Sequence, residues 1–140
     1  MPATGWTTVF AAYMLTVVGR GAAAQQADST PARSTKTGVY TVRQAARGQD
    51  AYVLMCQTCH TPDTHNGAAF WNNWGGRELW ELFRYVRESM PKGDPGSLTT
   101  QETTLLVAYL LKMNKMPAGP DELPADSMAL KAIRFERDEP

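Results

Sequence analysis

Cys56-Gln57-Thr58-Cys59-His60 places two thiols and an imidazole within one turn of chain, and these are the chain's only cysteines. A disulfide across so short a loop would do little to brace a fold, because the stabilisation grows with the loop it closes. The spacing instead suits a shared prosthetic group or a redox pair. At a helix end, residues three and four apart are surface neighbours, so both sulfurs and the ring project to roughly the same side. That is the C-x-x-C-H order of covalent c-type haem attachment. The two thiols add to the haem vinyl groups while His60 reaches the iron. Tetrahedral zinc sites usually draw on a second cysteine pair, which is lacking. A thiol redox pair normally sits beside a βαβ pattern, and this chain has no alternating strand pattern of useful length.

The rest of the chain reads as helices joined by long loops. Thr41 stands three residues before Gln44, the spacing of a reciprocal capping box, and predicts a helix over 42–57. Gly48 in its middle costs about 1 kcal/mol relative to Ala, which points to another backbone passing close by. Residues 61–76 are dense in turn formers, Pro62, Asp63, Asn66, Gly67, Asn72, Asn73, Gly75 and Gly76, and predict an ordered loop rather than an element. Leu79, Leu82, Phe83 and Val86 recur at helical spacing over 77–88. Pro91 and Pro95 end that helix. Thr99 and Glu102 form a second capping box before the strongest helical run, which ends near Asn114. Pro117, Gly119, Pro120 and Pro124 predict an extended tail, with a short helix over 128–135. The expected fold class is all-α, wrapped around one covalent haem, since so few elements lack a core unless something large and apolar fills the centre.

The second axial position decides between electron transfer and small-molecule binding. Met55 adjoins the attachment motif and cannot reach the far face, and Met113 on a helical stripe reads as core filler. Met90, before Pro91 and between two helices, is free of helical constraint and is the expected ligand; Met116, before Pro117, is the alternative. His65 lies too close to His60 in sequence to cross the haem plane and reads as a solvated loop histidine. Phe70, Trp71, Trp74 and Trp80 cluster around the loop. Trp80 reads as packing, and Trp74 either as packing or as a donor to a haem propionate. Arg77 reads as a solvated surface residue.

Residues 5–18 are apolar and uncharged, followed by Gly21-Ala22-Ala23-Ala24, so 1–24 is expected to be a signal peptide cleaved after Ala24. At fewer than the roughly 20 apolar residues a span needs, a retained anchor is the second choice. Polar residues 25–40 follow as a flexible linker, 41–116 as the haem domain and 117–140 as a C-terminal extension. Fourteen basic and fourteen acidic side chains cancel without charge blocks, which sets aside nucleic acid and a strongly charge-steered partner.

From about Thr41 to Leu123 the sequence resembles class I cytochromes c: a helix entering CQTCH, a middle helix, a Met-Pro loop and a C-terminal helix TTLLVAYLL. The stretches LFRYVRESMPKGDPGSLTTQE and VAYLLKMNKMPAGPDELP are similar to small cytochromes that accompany periplasmic quinoprotein and related dehydrogenases. The resemblance implies haem c, His60 as proximal and Met90 as distal ligand, a helix crossing at Gly48 and Tyr109, and redox-protein partners. It implies a periplasmic electron carrier, not itself an enzyme, which accepts electrons from a dehydrogenase or serves as its subunit. A gas-binding haem sensor and a thiol-disulfide oxidoreductase are the alternatives. Two departures stand out: Thr61 follows His60 where the family usually has Gly, and no proline occurs between Asp63 and Ser89 to offer its carbonyl to the proximal histidine.

Overall fold

In the computed structural model, which describes residues 1–2 and 32–137, Thr41 opens the first helix by accepting a hydrogen bond from the Gln44 amide. Residues 3–24 of the expected signal peptide, its cleavage site included, lie outside the described residues. Helix α1 runs Val42–Met55, α2 Gly67–Trp74, α3 Leu79–Ser89, α4 Thr100–Met113 and α5 Ser127–Lys131. Among the described residues the fold is all-α apart from two strands of two residues each, β1 (Arg33–Ser34) and β2 (Ile133–Arg134).

The α1 box is only half made. Gln44 does not turn back to its cap but is buried, donating to the Leu123 carbonyl at 3.1 Å and accepting from the Leu123 amide at 2.7 Å. A side-chain amide offers both a donor and an acceptor, so it pairs both backbone groups of one extended residue. We expect Gln44→Leu to lose about 2 kcal/mol in urea denaturation of the holoprotein, since it strands two buried backbone groups at roughly 1–3 kcal/mol each before relaxation. The second box is complete: Thr99 and Glu102 satisfy each other's amides at the start of α4.

Helices α1 and α4 cross in backbone contact. A Cβ on Gly48 would lie 1.9 Å from the Leu105 carbonyl oxygen and 3.0 Å from the Tyr109 Cβ. The expected close approach at Gly48 is therefore present, with Tyr109 beside it.

Two expectations are corrected at the ends of the domain. Residues 33–40 pack as structure rather than linker: Thr35, Val39 and Tyr40 are buried, and β1 pairs in parallel with β2. The 117–137 stretch does carry a short helix, α5, though it spans Ser127–Lys131 rather than 128–135, and the extended tail around it is packed down, because Leu123, Leu130, Ile133 and Phe135 are all core residues. Phe135 is stitched to the α2–α3 turn by amide-carbonyl bonds to Gly76 and Arg77, and its ring meets Phe70 edge-on at 5.5 Å. Proline and glycine spacing signalled the lack of long helices there, but isolated apolar residues buried one at a time leave no period to read.

The loop expected over 61–76 is a 3₁₀ turn, Pro62–His65, followed by α2. Eight residues with two asparagines and a starting glycine have weak intrinsic helicity. Burial of Phe70 against Phe135 and the core supplies what propensity does not.

Candidate functional site

The attachment motif sits where α1 runs out. Cys56 caps the helix, and its carbonyl accepts from the amides of Cys59 (3.1 Å) and His60 (2.9 Å), folding the five residues into a tight turn. Tyr52 lies four residues earlier on the same helix face and is buried; its hydroxyl donates to the carbonyls of His60 (3.2 Å) and Thr61 (3.4 Å). Its ring also meets Tyr109 of α4 at 5.3 Å. Sequence reading passed over Tyr52, although its i, i+4 relation to Cys56 was the available signal. Thr61 adopts φ −74°, ψ 151°, an ordinary extended conformation, so this turn has no need of glycine after the histidine.

Cys56, Cys59, His60 and Met90 all line one cleft of about 930 Å³, its open mouth included. Tyr52 of α1, Leu82 and Val86 of α3, and Leu106 and Leu110 of α4 make its walls predominantly apolar. Met90 arrives from a different element, as the extended cap that ends α3, and Pro91 enters the cleft beside it. Met55 also touches the cleft, whereas Met113 and Met116 do not line it. Met116 is buried in the core, and its carbonyl accepts from the Tyr40 hydroxyl at 2.6 Å.

His65 departs from the expected solvated loop position. Its ring is half-buried in the cleft, 4.5 Å from the His60 ring and edge-on to Tyr52 at 6.3 Å. Burial, and then the neighbouring His60, hold its pKa below the usual histidine value. Trp74 lines the cleft with Tyr85 at 5.7 Å and the Arg77 guanidinium 5.1 Å above its ring. Arg77 itself pairs with Glu81 and donates to the Asn73 carbonyl. Trp80 stacks on Phe83 at 5.5 Å and does not line the cleft.

The donor set and the walls fit a haem: two thiols at one edge, an imidazole and a thioether, and apolar surface for the macrocycle. Among the described residues no group of three or more His, Cys, Asp or Glu is placed to hold a metal ion without such a group. Burial pushes the Cys56 thiol up, the opposite of what an active dithiol redox pair requires. A family model described as cytochrome c oxidase, cbb3-type, subunit III matches residues 43–110. Residues 43–110 are a cytochrome c domain. No curated protein and no solved structure matches the chain.

The match covers the attachment motif, α3 and Met90, and most of α4. A cytochrome c domain implies covalent haem c, a role in electron transport and redox partners. Helix α5, β2 and the 33–37 segment lie outside the matched span and are added layers packed on it. No helix among the described residues is long and apolar enough to cross a membrane.

Proposed function

We propose that this chain carries one haem, bonded through Cys56 and Cys59 and ligated by His60 and Met90, and that it shuttles electrons between redox proteins in the periplasm after export. A dehydrogenase is the proposed electron donor, with the chain acting as its acceptor or cytochrome subunit. The observation that carries this reading is the convergence on one apolar cleft of the motif turn and the Met90-Pro91 segment from separate elements. When bound, the haem supplies one-electron redox chemistry at its iron.

The protein's part is to bind, orient and exclude water. Cys56 and Cys59 anchor the group, and the Tyr52 hydroxyl fixes the turn that aims His60. Leu82, Val86, Leu106 and Leu110 keep water from the cleft and lower the local dielectric, which together with a thioether ligand raises the potential. Exposed Tyr85, which lines the cleft, offers apolar surface for a transient partner.

The test is to express the full chain with haem-attachment machinery and record its intact mass and its oxidised and reduced spectra. Covalent haem and a methionine-to-iron band in the red are expected. Met90→Ala should abolish that band and open the ferrous form to rapid carbon monoxide binding, while Met116→Ala should leave both unchanged. Retention of the band in Met90→Ala would overturn the distal assignment, and absence of covalent haem would overturn the proposal as a whole.

A further inference from the structure

Resting on the reading of His60 as proximal ligand, we infer that His65 is its positioning residue, the ring of His65 accepting the Nδ1 proton of His60.

A ligating histidine nearly always donates its other ring N–H to a fixed acceptor, which sets the ring's rotation and basicity. Two backbone carbonyls beside His60 are already taken. The Cys56 carbonyl takes the amides of Cys59 and His60, and the Thr61 carbonyl takes the Thr64 amide, the Thr64 hydroxyl and the Tyr52 hydroxyl. The sequence has no proline between Asp63 and Ser89 to bring another carbonyl here. What the fold places against His60 instead is the His65 ring, at 4.5 Å between centroids and inclined by 54°. The 3₁₀ turn Pro62–His65 is what returns the chain so soon after the motif.

His65 is itself held from two sides. The Asn114 side chain, at the C-cap of α4, donates to the His65 carbonyl at 2.9 Å, and the Tyr52 ring meets the imidazole edge-on. A neutral imidazole has one acceptor nitrogen and one N–H. Asn114 Oδ1 is buried without a hydrogen-bond partner, and it belongs to the side chain that already grips His65. The side chain that holds the His65 backbone thus keeps an uncommitted acceptor.

The test uses the holoprotein and three versions of it: wild type, His65→Phe, which keeps a ring against Tyr52 but removes the acceptor, and His65→Gln, which restores an acceptor. Nitrogen-edited proton NMR of the reduced protein reads the His60 Nδ1–H, and potentiometry reads the iron. In His65→Phe the proton should exchange faster with solvent, and the ferric-to-ferrous ratio at fixed potential should fall about tenfold, equivalent to about 59 mV for one electron. His65→Gln should recover part of both changes. If His65→Phe holds its haem with proton exchange and potential unaltered, the inference is wrong, and a histidine that merely packs would give that result. If His65→Gln behaves as His65→Phe, ring packing rather than proton acceptance is responsible and the inference is again overturned. Wild-type protein without a His60 ligand would instead sink the underlying haem assignment, an outcome the wild-type spectrum reveals first.

Discussion

Converting Cys56 and Cys59 together to alanine should leave a chain with the mass of the bare polypeptide under conditions that load the wild type fully with haem. Both thiols belong to the turn that ends α1, and no other cysteine can substitute. The effect should reach beyond the cofactor. Leu82, Val86, Leu106 and Leu110 line a cleft whose apolar walls only a large apolar body can cover, and exposed apolar area costs about 25 cal/mol per Å². Covalent attachment keeps that body in place at any concentration. A haem held only by axial ligands stabilises by mass action and can be diluted away. Mass spectrometry checks the first effect and urea denaturation with and without added haem the second. A double variant that retained covalent haem would refute the assignment of these thiols.

Gly48→Ala should destabilise the holoprotein by about 3 kcal/mol or more, against a gain of about 1 kcal/mol that helix propensity alone predicts. The sign makes the experiment decisive. The added carbon would sit 1.9 Å from the Leu105 carbonyl oxygen, a backbone atom that can retreat only if α1 and α4 separate. Separation would in turn pull Tyr52 from Tyr109, now 5.3 Å apart, and loosen the hydroxyl that fixes the motif turn. Chemical denaturation reads the stability, and a broadened haem spectrum would report the loosened turn.

These sites differ in how far the sequence disclosed them. The attachment motif, the Thr99–Glu102 box and the glycine crossing are local patterns whose chemistry admits few structural answers, and all three are present as structure. Met90 was legible as the unconstrained methionine at a helix end, and it lies on the cleft. Gln44 and His65 were not legible, because their roles depend on Leu123 and Asn114, which are distant in sequence. A buried amide and a solvated one are spelled alike. Helix α2 was missed for a related reason: its stability comes from Phe70 meeting Phe135, a contact across the chain rather than along it. The same holds for 33–40 and 117–137, where polar composition concealed single apolar anchors such as Val39 and Leu130.

The pairing of β1 with β2 also determines how the domain would bear a mechanical load. The strands are parallel, with Arg33 opposite Ile133 and Ser34 opposite Arg134, and Thr35 bonds onward to Glu136 at both amide and carbonyl. Chain enters at the start of one strand and leaves at the end of its neighbour. Tension between the two ends therefore drags the strands past each other lengthwise, so the bonds must yield together rather than open one after another like a zip.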